Sequence, residues 1–430
     1  MHQVSEIRNA VLWLVVLFTM IGAGCDSKDI HESDQTTRTE ATETPFSADS
    51  LGHTFNVVLE DGVPTALNSG GPKYDTPIFS FVELISLKPD PDNEDSYLFV
   101  PTGLTVDNEG NYYVVDSRNF RIAVFDSDGK YLRSFGRYGQ GPGELMNPTI
   151  ETINSNVLQV FDRAQRRITR YLTDGTLLDV ITIRDGREFP RDAIVSPDGN
   201  RIVIVNPKGK RSRRFEDTSF QIQFMTIDQH EMESINTPRA RQVARGGGKT
   251  PNQSMYFAPR PQVCFSSQHG IIVSTGEEPI LDCYSWYGSH VRTIRFEMPH
   301  RPVRVRDQIR IKEFIEEAVA TASAQDRQRT LSTERVFPEM KAFWHRSQVD
   351  DEGYFWLIEY WDFEARDKGL GQTCMVVSPE GELLGTCYLP NTSGIFIRGH
   401  YLTIITNKST GERIPTVFRI ESNVDGLIYP

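Results

Sequence analysis

The chain has 430 residues, 38% hydrophobic and 24% charged, with 24 prolines and 32 glycines. This is an ordinary globular composition, long enough for a large single domain, and it favours many short strands over long helices. A formal net charge of −12 argues against a general nucleic-acid binder.

Residues 1–25 read as a targeting segment and stand outside the fold. Residues 10–21 form an apolar run of 12 residues, short for a bilayer span and typical of a signal-peptide core. Gly22-Ala23-Gly24-Cys25 follows. Small residues ending at a cysteine resemble the lipobox of bacterial lipoproteins. The resemblance implies that Cys25 is acylated and becomes the new N-terminus. A lipid-anchored place in the bacterial cell envelope follows, facing the periplasm or the cell surface. Two features depart from the pattern: Gly22 replaces the usual leucine, and Arg8 is offset by Glu6. An ordinary cleaved signal or a short anchor is the alternative. Residues 26–52 read as a disordered acidic tether, since residues 26–50 hold seven acidic and two basic side chains and little to bury.

Residues 53–430 are expected to form one all-β body. Asp116, Arg121-Ile122 and Asp128-Gly129 recur 46 positions later as Asp162, Arg167-Ile168 and Asp174-Gly175. A period of this size marks an array of small β units, each unable to bury its own core. The best unit begins at Pro101: four strands in about 40 residues, with Gly110 placed in the first turn where φ > 0 is needed. Val106-Asp107, Gly110-Asn111, Asp116, Arg121-Ile122, Val124-Phe125 and Asp128-Gly129, with the connector Gly139-Gln140-Gly141-Pro142-Gly143-Glu144-Leu145, are similar to an NHL repeat. Phe120 stands where that repeat often carries histidine.

Weaker echoes place blade two at 148–183, blade three from Pro190, blade four at 263–296, blade five around Val349 to Trp356, and blade six at 394–420. Spacing gives a six-bladed β-propeller of four-stranded antiparallel blades, with seven blades as the alternative. The last blade is one strand short. Residues 79–87 alternate as a strand and are predicted to complete it, closing the ring. One short helical insertion is expected at about 305–332, with Asp307 as N-cap and Ile311, Phe314, Ile315, Ala318 and Val319 as its apolar stripe. It reads as packing outside the ring, a lid being the alternative.

No catalytic motif is present. Of the nine histidines, only His345 falls on a predicted inner strand, and a zinc site needs three or four ligands. No metal or cofactor is therefore expected. Inner strands line a propeller's channel, so Glu151, Arg191, Asp192, Arg260, Gln262, His345 and Arg346 are the candidate binding residues. Basic loops at 208–214 and 239–249, and Tyr360-Trp361, are secondary candidates for contact. Cys374 and Cys387 flank the Ser378-Pro379-Glu380-Gly381 turn and are a disulfide candidate. Cys264 and Cys283 sit two strands apart, too far to bridge, and are expected as buried thiols. The favoured function is a membrane-tethered binding platform for a protein, peptide or glycan, with no nucleic acid. The alternative is a propeller-type hydrolase or lyase with Ca²⁺ or Zn²⁺ in the channel.

Overall fold

The computed structural model describes residues 52–154, 156–184, 189–208, 217–238, 240–241, 253–320, 323–360, 362–390, 393–398, 400–407, 413–427 and 429. Six antiparallel sheets stand in a ring. Their innermost strands are Pro101–Val106, Pro148–Asn154, Asp192–Val195, Gln262–Ser266, Arg346–Val349 and Ser393–Arg398. The first five blades then run outward in chain order through three further strands. Blade six supplies three strands of its own, ending with Arg413–Ser422, and its fourth is Phe79–Ser86. That strand pairs antiparallel from Ser422↔Phe79 to Thr416↔Ser86. The predicted closure is present.

The repeat has a backbone cause. Asp116 accepts hydrogen bonds from Phe99 N at 3.0 Å and Val100 N at 2.9 Å, in the segment leading into its blade. Asp162 does the same for Met146 N at 2.6 Å and Asn147 N at 3.2 Å. Both carboxylates are fully buried, where unpaired amides would be costly. Arg167 then donates to Gln140 O at 2.9 Å and Gly141 O at 2.8 Å, fastening the glycine-rich connector. Gly110 takes φ of 85°, as its turn requires.

The core is divided into wedges between blades. Leu104, Val114 and Phe125 of blade one meet Val417 of blade six. Tyr113 and Val124 meet Leu158 and Val160 of blade two, and the pattern continues round the ring. Each buried Val, Leu, Ile or Phe contributes about 1.5–3 kcal/mol. Because every wedge is shared, no blade holds its core alone.

Blade four carries more than the expected four strands. Thr54–Glu60 and Val63–Ser69 form a hairpin, and its second strand adds in parallel to His290–Phe296, giving a six-stranded sheet. From there the chain crosses the outer strand of blade five. Lys73 N donates to Leu383 O at 3.0 Å, Tyr74 N to Leu384 O at 2.9 Å and Ile78 N to Thr386 O at 2.8 Å. It then becomes the closing strand of blade six. Residues 54–86 thus lace three blades from outside.

The insertion is two helices, α1 (Val305–Ala318) and α2 (Ala324–Leu331), rather than one. The N-cap is Arg304, not Asp307. Asp307 lies in the first turn, where its carboxylate accepts from Arg304 N at 2.9 Å, so it satisfies the cap residue's amide instead of being the cap. Ile311 and Ile315 pack on Phe257 and Phe363, as the stripe predicts. Among the described residues no helix is long and apolar enough to cross a membrane.

Candidate functional site

The innermost strands enclose a channel of about 1260 Å³. Arg191, Asp192, Arg260, Gln262, His345 and Arg346 all line it. Glu151 lies on its predicted strand, at an irregularity between the pairings of Ile150 and Thr152, and its side chain is outside the described residues. The sequence reading missed Arg163, Cys264, Gln348 and Arg398, which also line the channel. Arg163 was legible: it stands 46 positions after Ser117, immediately past the repeat's aspartate. Cys264 is half-buried against the channel, not enclosed as expected; it is a free thiol, as are Cys283, Cys374 and Cys387.

The channel has two different mouths. Arg191, Arg260 and Arg346 stand at or just before the starts of inner strands. Arg163 follows the second strand of blade two, beside the start of its first, since Arg163 N donates to Asn147 O at 3.2 Å. Arg191 Nη1 reaches Pro261 O at 3.4 Å in the next blade. These four guanidiniums share one mouth. At the other, inner strands turn into second strands, and Asn108, Pro197, Asp350, Asp351 and Arg398 lie there.

The turn mouth is occupied with its own hydrogen bonding. Asp107 accepts from Asn111 N at 2.8 Å and Tyr113 Oη at 2.9 Å. Asp350 accepts from Tyr354 N at 2.8 Å and Trp356 Nε1 at 2.9 Å. Burial nonetheless pushes the Asp350 carboxyl up to about 6. Arg398 lies 3.5 Å from Asp351.

The basic mouth is less settled. Arg346 Nη2 donates to Ile395 O at 2.8 Å, and burial lowers its pKa. Arg191 stacks over Phe220 with its guanidinium 4.5 Å from the ring centre. Its pKa is also lowered, chiefly by burial; Asp192 opposes that lowering more strongly than either Arg163 or Arg260 adds to it. His345 is held down to about 4 by burial first, then by Arg346 and Arg260. It is neutral at pH 7. Its Nδ1 lies 3.0 Å from Ile358 O and 2.9 Å from Glu359 O, so Nδ1 carries the proton and Nε2 is left as an acceptor. Gln262 Oε1 accepts from Ser347 N at 2.5 Å and Ser347 Oγ at 3.0 Å. Its Nε2 is buried without a partner, as is Gln348 Oε1.

Other candidates fall elsewhere. Among the described residues no group of three His, Cys, Asp or Glu is placed to hold a metal. Cys374 and Cys387 are directly opposite in register and fully buried. Tyr360 donates to Ala258 O at 2.5 Å and packs on Phe257, so it belongs to the seat of the helices; Trp361 lies outside the described residues. So do Cys25, the tether up to residue 51, and most of both basic loops, of which Lys208 and Arg241 are described. No residue of α1 or α2 lines the channel.

Comparison with known proteins agrees with this architecture. Residues 76–200 match a family model described as a 6-bladed beta-propeller. The RING finger protein nhl-1 of Caenorhabditis elegans is 44% identical over 52 residues, which is 12% of this chain and 5% of that protein. The chain therefore spans a small fraction of that curated relative. Two solved structures cover it more fully. A candidate exported protein of Bacteroides fragilis is 13% identical, with a TM-score of 0.45 over 80% of this chain and 95% of its own. Virginiamycin B lyase from Staphylococcus aureus is 13% identical, with a TM-score of 0.36 over 82% of this chain and 90% of its own. Taken with the closed ring of six sheets, the chain is an NHL-repeat-like six-bladed β-propeller.

Proposed function

We propose that this protein is an exported binding platform, held on a membrane through a lipid on Cys25, whose ligand seats in the central channel. The ligand is a segment of a protein, peptide or glycan. One observation carries the reading: a channel of about 1260 Å³ lined by buried polar atoms that lack partners, Gln262 Nε2 and Gln348 Oε1. Its size is somewhat above the usual range of small-ligand pockets, and buried polar atoms left unpaired in the free protein are the kind a ligand satisfies. The anchor reading is supported by the sequence before residue 26. It puts the ring on a flexible acidic leash, free to turn its mouths toward a partner.

Two variants test the two halves. Cys25→Ser should move the protein from the membrane to the soluble fraction; continued sedimentation with membranes would refute the anchor. Gln348→Trp should narrow the middle of the channel and weaken or abolish binding of any ligand found by calorimetry, with the thermal midpoint little changed. Undiminished binding to this folded variant would place the ligand outside the channel.

A further inference from the structure

The ligand's chemistry is written in the charge of one mouth. The chain as a whole is acidic, at −12, yet Arg163, Arg191, Arg260 and Arg346 face the channel beside Asp192, the single lining carboxylate at that end among the described side chains. We propose that the basic mouth binds an acidic sugar, a glycan unit bearing a carboxylate, sulfate or phosphate, with its oxyanion held by Arg191, Arg346 and Arg163. This rests on the reading that the ligand seats in the channel.

Three observations lead there. First, the guanidiniums of Arg346 and Arg191 are under-used. Arg346 donates to one carbonyl, Ile395 O; Arg191 donates to Pro261 O at the long distance of 3.4 Å. Each fork has five N–H donors, so most remain for a ligand. Arginine's planar fork suits an oxyanion in two parallel hydrogen bonds.

Second, the basic groups act on one another in the free protein, although at Arg191 the attraction of Asp192 outweighs the repulsion of either Arg163 or Arg260. Arg163 and Arg260 act against Arg191, and Arg346 and Arg260 act against His345. Folding gains nothing from collecting cations of one sign in a partly desolvated mouth. A bound anion relieves that repulsion and gains the field of all four.

Third, the neutral groups complete a sugar's pattern. Gln262 is 93% buried, being 7% exposed, and its Nε2 donor is unpartnered. His345 Nε2 and Gln348 Oε1 are acceptors facing the same lining. A ligand that offers hydroxyl donors beside its oxyanion satisfies both kinds. Phe265 and Trp286 line the channel as well, stacked on each other at 6.5 Å toward the turn mouth, and give the far end of the channel an apolar border.

The folded full-length protein is titrated by calorimetry with tetragalacturonate, glucose 6-sulfate, glucose 6-phosphate, neutral maltotetraose and a tetraglutamate peptide. At least one acidic sugar should bind, and raising salt from 0.05 to 0.5 M should weaken it. Arg191→Gln and Arg346→Gln should each reduce its affinity about tenfold or more. Arg398→Gln, at the other mouth, should change it less than about threefold. Arg346→Lys should recover part of the loss, because it keeps charge but not the fork. Tight binding of maltotetraose, unaffected by either arginine variant but weakened or abolished by Gln348→Trp, would overturn the oxyanion while leaving the channel reading intact. Preference for tetraglutamate over every acidic sugar would overturn the glycan assignment. Binding of an acidic sugar that is undiminished by Gln348→Trp would overturn both.

Discussion

The two mouths of the channel are built from the ends of the same strands and carry opposite kinds of side chain. At the turn mouth, Asp107 and Asp350 are bound to the amides of their own turns, as Asp198 is to Asn200 N at 3.1 Å. Acidic residues are there because tight turns need short oxygen acceptors. At the other mouth Arg163, Arg191 and Arg346 close no turn. Among the described residues, the carbonyls reached by Arg191 and Arg346 belong to neighbouring blades. The fold accounts for the first set and leaves the second to be explained by what enters the channel. Composition near a site is thus informative only after the residues demanded by the backbone are subtracted.

Three measurements break or sharpen this contrast. The largest effect should come from a structural carboxylate. Asp162→Ala removes the acceptor for Met146 N, Asn147 N and Gln165 N, leaving buried donors unpaired, and should cost about 4 kcal/mol in urea unfolding. A loss below about 1 kcal/mol would mean the repeat's aspartate is not a backbone anchor.

The next effect is in the pH dependence of stability, where the two mouths oppose each other. Asp350 rises from 3.8 to about 6 on folding, so the fold binds more protons than the unfolded chain across that window. Its contribution falls by about 3 kcal/mol as pH rises from 4 to 6. His345 drops from 6.5 to about 4, so the unfolded chain binds more protons there. Its contribution rises by about 3 kcal/mol over pH 4 to 6.5. The two should largely cancel. Asp350→Asn should expose a stability that climbs with pH, and His345→Gln one that declines. Identical slopes in both variants and the parent would deny the opposition.

The smallest effect should be the stability change in Arg346→Gln. Removing a desolvated cation with no carboxylate partner among the described residues should shift unfolding by less than about 1 kcal/mol, in either direction. A loss matching that of Asp162→Ala would make Arg346 a structural residue and erase the difference between the mouths.

Blade one was legible because its side chains serve its backbone: Asp116, Arg121 and Gly110 are placed by turn and connector geometry, which repeats. The closing strand was legible from the alternation of residues 79–87 and the short last blade. The outer hairpin was not assigned, although Asp61-Gly62 carries φ of 50° and 82° and is a hairpin signal in its own right. Its first strand leaves Val57 and Leu59 exposed, and parallel addition to a blade's rim has no periodic mark. Six of the seven channel candidates line the channel because inner strands are easily located. Gln348, two residues after Arg346 on a regularly paired strand, was legible from alternation. Arg398 escaped because which residue faces inward depends on irregular pairings, such as that between Ser393 and Phe396 on its own strand. One extra residue reverses the facing of all that follow.

The lacing of residues 54–86 around the outside orders events in time. Phe79–Ser86, made early, must wait for Arg413–Ser422, the last of the described strands to be made. Contacts so distant in sequence form slowly. A nascent or truncated chain therefore keeps two complementary unpaired edges, each a template for a second molecule. The pairing of Arg413–Ser422 is what makes the newly made protein safe from its own neighbours.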